Sequence, residues 1–92
     1  MRIVFCYDVV EDRRRRRLAD RMERILTRVQ KSVFEGSVDR KRLEKIRRIA
    51  EREIDKSTDS VRIYFLCAKC MKATEIIGGG PMIPPKLEDE VY

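Results

Sequence analysis

Residues 2–8, Arg-Ile-Val-Phe-Cys-Tyr-Asp, are short, apolar and rich in strand formers, and predict a buried strand that stops at Asp8. Glu11 and Asp12 follow at a position where acidic residues favour the start of a helix. Leu18, Met22, Ile25 and Leu26 then recur at helical spacing, so a helix over 11–28 is expected with one apolar stripe. Residues 29–35 read as a second strand, broken at Gly36. Asp39 is placed to cap a second helix, whose stripe is Leu43, Ile46, Ile49, Ala50 and Ile54. After a loop at 57–60, residues 61–66 form a strand dense in β-branched and aromatic side chains. A turn over 67–73 and a short strand over 74–77 complete the pattern.

Two amphipathic helices among short strands suggest an α+β domain of the ferredoxin-like, split βαβ type, βαββαβ, in which an antiparallel sheet carries two helices on one face, although the bounds above place only one strand between the helices. Residues 1–77 form that domain. Gly78-Gly-Gly80 and three prolines open a tail over 78–92 that disfavours both a helix and a central strand, and this tail is expected to be solvated. Helices on one face leave the other uncovered, with Val4 and Cys6 or their alternates, and Val33 or Phe34, turned to water. That is a physical reason to expect a second chain there.

Composition sharpens this picture. Hydrophobic residues make up 42% and charged residues 41% of the 92 positions, with no His, Asn or Trp and a single Gln, Gln30. Such a surface is built from ion pairs and suits a heat-adapted source. No stretch approaches the roughly 18 apolar residues of a membrane span and no apolar leader precedes the first strand, so a cytoplasmic protein with no membrane partner is expected. Cys6, Cys67 and Cys70 are an odd set. Cys67-Ala-Lys-Cys70 has zinc-knuckle or redox spacing, yet one chain has neither His nor a second such pair to complete four ligands. The pair is either a plain turn or half of a site shared between chains.

The net charge is +6, and it is unevenly placed: residues 1–56 hold 18 Lys and Arg against 11 Asp and Glu, residues 57–92 only 4 against 5. A basic patch on a small domain predicts a polyanionic partner. Eight arginines face four acids across 11–28, and on a continuous helix Arg17, Arg21, Arg24 and Arg28 would line up at spacings of four, three and four. With Arg13 and Arg14 they are candidates for phosphate contact, since the guanidinium fork matches phosphate geometry. The alternative is a solvated face with Asp12–Arg16 and Asp20–Arg24 as ordinary helical pairs. Arg15 leads instead toward the strand end and Asp8. Asp8 itself either hydrogen-bonds the following turn or supplies a metal-binding carboxylate. One Asp makes a poor magnesium site, whereas two meeting across a two-fold axis make a reasonable one.

Tyr7-Asp8-Val9, the arginines of 13–17, the run Arg28-Val-Gln-Lys-Ser-Val-Phe-Glu-Gly36, Asp59-Ser-Val-Arg-Ile-Tyr64 and Leu66-Cys67 occur in one order. Together they resemble the small CRISPR-associated adaptation protein family, CRISPR-associated protein two, over about residues 1–77. The resemblance implies a homodimer that binds double-stranded spacer DNA and bridges CRISPR-associated integrase dimers during spacer acquisition, with the tail over 78–92 falling where family members carry a last strand packed on the partner subunit. Some members are metal-dependent nucleases on RNA or DNA. For that activity it implies Asp8 as the metal-linked residue, with one Mg2+ shared across the dimer, and Tyr7, Arg15, Arg17, Arg28 and Phe34 as matching positions. The rival readings are an RNA-recognition module, which would cluster aromatics on its central strands, and a small-ligand regulatory domain of the same fold.

Overall fold

The computed structural model describes residues 1–73, 75 and 77. In chain order the elements are β1 (Arg2–Asp8), α1 (Asp12–Met22), β2 (Thr27–Gln30), β3 (Val33–Ser37), α2 (Arg40–Glu53), β4 (Ser60–Leu66) and a short α3 (Ala68–Ala73). The four strands form one antiparallel sheet in the order β2-β3-β1-β4. This is the expected ferredoxin-like α+β arrangement, with α1 and α2 packed on one face.

The strand alternation of β1 sets the two faces. Ile3, Phe5 and Tyr7 are buried with Phe34 of β3 against Leu18 and Met22 of α1 and Leu43, Ile46 and Ala50 of α2. Phe5 and Phe34, paired across the strands, are wholly inaccessible to solvent, and burying each contributes about 1.5–3 kcal/mol. The opposite face carries Val4 and Cys6, which stand beside Glu35 and Val33 on one flank and Tyr64 and Arg62 on the other. Of the two candidates on β3, Val33 therefore lies on the open face, and Phe34 belongs to the core.

Both helix starts are capped. The Asp39 carboxylate accepts from the Arg42 amide at 2.8 Å, as expected, and Glu11 accepts from the Arg14 amide at 3.3 Å. The first helix is shorter than 11–28. It ends at Met22, and the amides of Ile25 and Leu26 turn back onto the Met22 carbonyl. The apolar period continues through Ile25 and Leu26 because both still pack toward the core, but Thr27 to Gln30 are taken by pairing with β3. The single strand expected over 29–35 is thus a hairpin: Gln30 pairs with Val33, leaving Lys31-Ser32 as a two-residue turn, and Val29 is an extra residue in β2 between Arg28 and Gln30. Ser32 lies in that turn and not on a strand.

Gly36, expected to break the strand, instead lies within β3. A β-carbon there would come within 2.7 Å of Leu26 Cδ2, so glycine is required by close approach of the α1–β2 connection to the sheet. At the far end, 67–73 is not a plain turn: Cys67 precedes α3. The strand expected over 74–77 does not form at Glu75 or Ile77, and Thr74, Ile76 and the tail over 78–92 lie outside the described residues. Gly36→Val should lower stability by about 1–3 kcal/mol through overpacking against the buried Leu26. A urea unfolding midpoint unchanged from the parent would contradict that account.

Candidate functional site

β1 delivers two neighbouring polar residues to opposite sides of the sheet. Tyr7 faces the helices and is buried, while Asp8, paired with Ser60, is exposed at the strand end. Among the described residues no hydrogen bond or ion pair holds the Asp8 carboxylate. The role of turn acceptor, open to Asp8 from sequence, is filled by Asp59. Its Oδ1 accepts from the Val10 amide at 3.0 Å and from Thr58 Oγ1 at 3.1 Å; its Oδ2 accepts from the Asp55 amide at 2.8 Å and from Arg14 Nε at 3.1 Å. The β1–α1 turn is therefore fastened to the α2–β4 turn, and Asp8 is left with its oxygens turned to solvent.

The Asp59 side chain has no solvent exposure. The backbone donors of Asp55 and Val10, followed by Arg14 and Thr58, hold its carboxyl well below the usual carboxylate range, against the opposing effect of burial. A sequence reading that weighed Asp59 only as part of a motif missed this clamp, because its donors lie 45 and 49 residues away at Arg14 and Val10.

A cleft of about 430 Å3 opens between α1 and the β2–β3 turn, at the end of β1. Asp8, Tyr7, Arg15, Arg28, Lys31 and Ser32 contribute to its wall. The Lys31 carbonyl organises one side: it accepts from Tyr7 Oη at 3.0 Å and from Arg28 Nε and Nη2 at 3.2 and 2.7 Å. Arg28 also lies 5.5 Å above the Phe34 ring, and the Tyr7 ring stacks on Phe34 at 6.1 Å. Burial pushes the Tyr7 phenol up, with Arg28 and Arg15 opposing, so it stays protonated and donates at neutral pH. Arg15 Nη1 donates to the Val9 carbonyl at 3.0 Å, and its other end meets Asp12. Tyr7, Asp8, Arg15 and Arg28 thus gather at one place, with Phe34 beneath them in the core.

Arg17 is elsewhere. It and Arg21 approach the buried carboxylate of Glu53 on α2, at 3.7 and 3.2 Å, and join the two helices. Because α1 stops at Met22, Arg24 and Arg28 do not continue its face, and the even stripe of Arg17, Arg21, Arg24 and Arg28 does not exist. Arg14 is committed to Asp59 and Arg28 to Glu23 at 2.9 Å. Neither Asp12–Arg16 nor Asp20–Arg24 forms among the described residues; Asp12 pairs with Arg15 instead. Arg13, Arg16 and Arg24 are exposed, with no carboxylate partner among the described residues. On the open face Asp8 shares a second hollow of about 210 Å3 with Cys6, Ser60 and Arg62. Burial raises the Cys6 thiol above its usual value, with Arg62 opposing, which leaves it a poor nucleophile.

A family model described as CRISPR associated protein Cas2 matches residues 1–74. The chain belongs to this family. It is 39% identical over 87 residues to the CRISPR-associated endoribonuclease Cas2 1 of Chloroflexus aurantiacus, covering 94% of this chain and 91% of that one. It is also 39% identical over 83 residues to the CRISPR-associated endonuclease Cas2 2 of Thermus thermophilus, covering 90% and 86%. Among solved structures, the hypothetical protein TT1823 from Thermus thermophilus matches with a TM-score of 0.76 at 38% identity, over 87% of this chain and 93% of that one. The Streptococcus pyogenes Cas2 structure at pH 6.5 matches with a TM-score of 0.74 at 32% identity, over 85% and 100%. No helix of the described residues is long and apolar enough to cross a membrane.

Asp8 lies at the strand end, but among the described residues no three His, Cys, Asp or Glu side chains come together as a metal site. One exposed carboxylate is a hard oxygen donor of the kind magnesium takes, and a magnesium ion there would draw its other ligands from water or from outside the described residues.

Asp59 generates the prediction here. A carboxyl depressed in the folded state stabilises the fold above its unfolded value of about 3.9 and loses that contribution as pH falls below it. Asp59→Asn puts a donor where Oδ2 accepts from Asp55 and Arg14. The variant should melt several degrees below the parent at neutral pH, and the gap should close as pH falls below about 4. Thermal melts at pH 7 and at the acid end test this; an equal gap at both contradicts the clamp.

Proposed function

We propose that this Cas2 family chain acts as a homodimer that binds double-stranded DNA during CRISPR spacer acquisition and holds integrase dimers together. The observation that carries the reading is the open sheet face. Both α1 and α2 lie on one side, so Val4, Cys6, Val33 and the partly exposed Tyr64 form a surface without a covering layer from the described elements. A second copy placed there by two-fold symmetry buries the same residues twice over. Nucleic acid fits the excess of basic side chains, among which Arg13, Arg16 and Arg24 pair with no acid among the described residues. RNA recognition by base stacking is disfavoured, because the aromatic residues of the central strands β1 and β3 (Phe5, Tyr7 and Phe34) point into the core. A heat-adapted source and a cytoplasmic setting accord with the composition.

A second reading, a metal-dependent endonuclease on RNA or DNA, is favoured by one specific observation: the Asp8 carboxylate is exposed and engaged by none of the described residues. Two such carboxylates, one from each subunit, would hold one Mg2+. The ion, when bound, supplies the Lewis acidity that phosphodiester hydrolysis needs. Tyr7 and Arg28 hold the Lys31 carbonyl and so fix the wall of the adjoining cleft, and Arg15 braces the Val9 carbonyl beside Asp8. Arg17, engaged with Glu53, has a structural part in this reading and Phe34 a packing part.

The two readings separate at Asp8. Asp8→Asn should abolish cleavage, a loss of at least about 100-fold if metal activation is the chemistry, while leaving dimer mass, duplex binding and spacer integration intact. Light scattering, a duplex-binding titration and an integration assay measure the first role, and nuclease assays with and without Mg2+ measure the second. Full cleavage by repurified Asp8→Asn would remove Asp8 from the chemistry. A monomer at all concentrations would remove the adaptor reading.

A further inference from the structure

The helical basic stripe that is absent from α1 exists on α2. Lys41, Lys45, Arg48 and Arg52 follow at spacings of four, three and four on a helix that runs unbroken from Arg40 to Glu53. All four are exposed. The core face of the same helix is Leu43, Ile46, Ala50 and Glu53, so the stripe points away from the sheet, on the outside of the helix layer. It is remote from the open face that carries Asp8.

Three features mark this stripe as built for an anion. First, among the described residues none of the four cations forms an ion pair. The nearby Glu44 is committed to Arg47, which lies off the stripe. Like charges three and four apart on a helix repel one another; Glu44 and Glu51 stand beside the stripe, but neither pairs with it among the described residues. Second, the end of α1 adds to the same surface. Arg21 and Arg24 line a groove with Lys45, and Arg21 and Lys45 line a second with Arg48 and Arg52. Third, the charges are strung along a line. From Lys41 to Arg52 the helix rises about 16 Å, close to the axial rise of five base pairs of duplex.

A protein partner would need a pocket for an apolar anchor. The grooves offer only Ile25 and Ile49, both half-buried as floor, in hollows of about 150 and 290 Å3 ringed by cations. The geometry favours a phosphate backbone. We propose that the outer face of α2, with Arg21 and Arg24, is a second nucleic-acid-binding surface, which tracks the backbone of a duplex without reading its bases. It rests on the nucleic-acid-binding role proposed above, and adds the outer helix layer as a surface that holds duplex. In a dimer joined through the open faces, two such surfaces would lie on the two outer sides, so one particle would carry duplex on both.

The test is a binding titration of a short fluorescent DNA duplex at several salt concentrations, using the full chain. The triple variant Lys45→Ala, Arg48→Ala, Arg52→Ala should bind at least about tenfold more weakly near 0.1 M salt. Its plot of log affinity against log salt should flatten by up to about three units, one for each lost phosphate contact. Arg47→Ala, on the same helix but off the stripe, should leave the slope unchanged, and circular dichroism melts should show both variants folded. If the wild type binds duplex with a steep salt dependence and the triple variant keeps the same slope, the α2 surface is overturned while the broader reading stands. If the wild type binds no duplex at any salt, the nucleic-acid-binding reading itself fails and this inference with it.

Discussion

The Asp59 carboxylate joins Val10, at the exit of β1, to Arg14 in the first turn of α1 and to Asp55 and Thr58 after α2. Two loops that would otherwise close independently are tied at one buried point. A carboxylate with no solvent exposure is costly to bury unless hydrogen-bonded on both oxygens, and here both are. The clamp settles the direction in which α1 leaves the sheet, and with it the position of Arg15 against the Val9 carbonyl and the shape of the cleft beside Asp8. It also takes the amide that a strand-end aspartate commonly accepts from, and so frees Asp8 for an external partner.

Charge is distributed by the same logic. Most arginines of 13–28 hold the molecule together. Arg14 serves Asp59, Arg17 and Arg21 serve Glu53, Arg15 meets Asp12, and Arg28 is shared between Glu23 and the Lys31 carbonyl. The contacts differ in weight. Exposed pairs such as Arg15–Asp12 contribute little, whereas removing either partner of the buried Asp59 or Glu53 would leave an uncompensated charge. Among the described residues Arg13 and Arg16 of α1 have no carboxylate partner, and neither has Arg24, which shares a groove with Lys45 on the outer side of α2. A count of basic residues along the chain therefore overstates what α1 can offer a polyanion and understates what α2 can.

Family membership and site geometry answer different questions. Residues 1–74 match the Cas2 model, and relatives named as endoribonuclease and endonuclease align over most of the chain. What this chain can do rests on its own side chains: an exposed carboxylate at the end of β1, a cleft fixed through the Lys31 carbonyl, and a basic outer face on the helix layer.

Much of this was legible in the sequence, and the reason is locality. The burial pattern of β1 alternates by side, α2 repeats by turn, and Asp39 caps the helix three residues ahead of Arg42, so each signal lies within a few residues of the structure that it specifies. The tertiary structure decided the rest. The apolar period over Leu18 to Leu26 was compatible with a helix to residue 28, and only pairing with β3 ended it at Met22. Lys31-Ser32 carries none of the Asn-Gly chemistry that announces a tight hairpin, so one strand became two without a local mark. Asp8 and Asp59 look alike in sequence as two aspartates beside strands. Donors 45 and 49 residues distant made one of them the clamp and left the other exposed, because the satisfaction of a buried carboxylate depends on what the fold brings to it from across the chain.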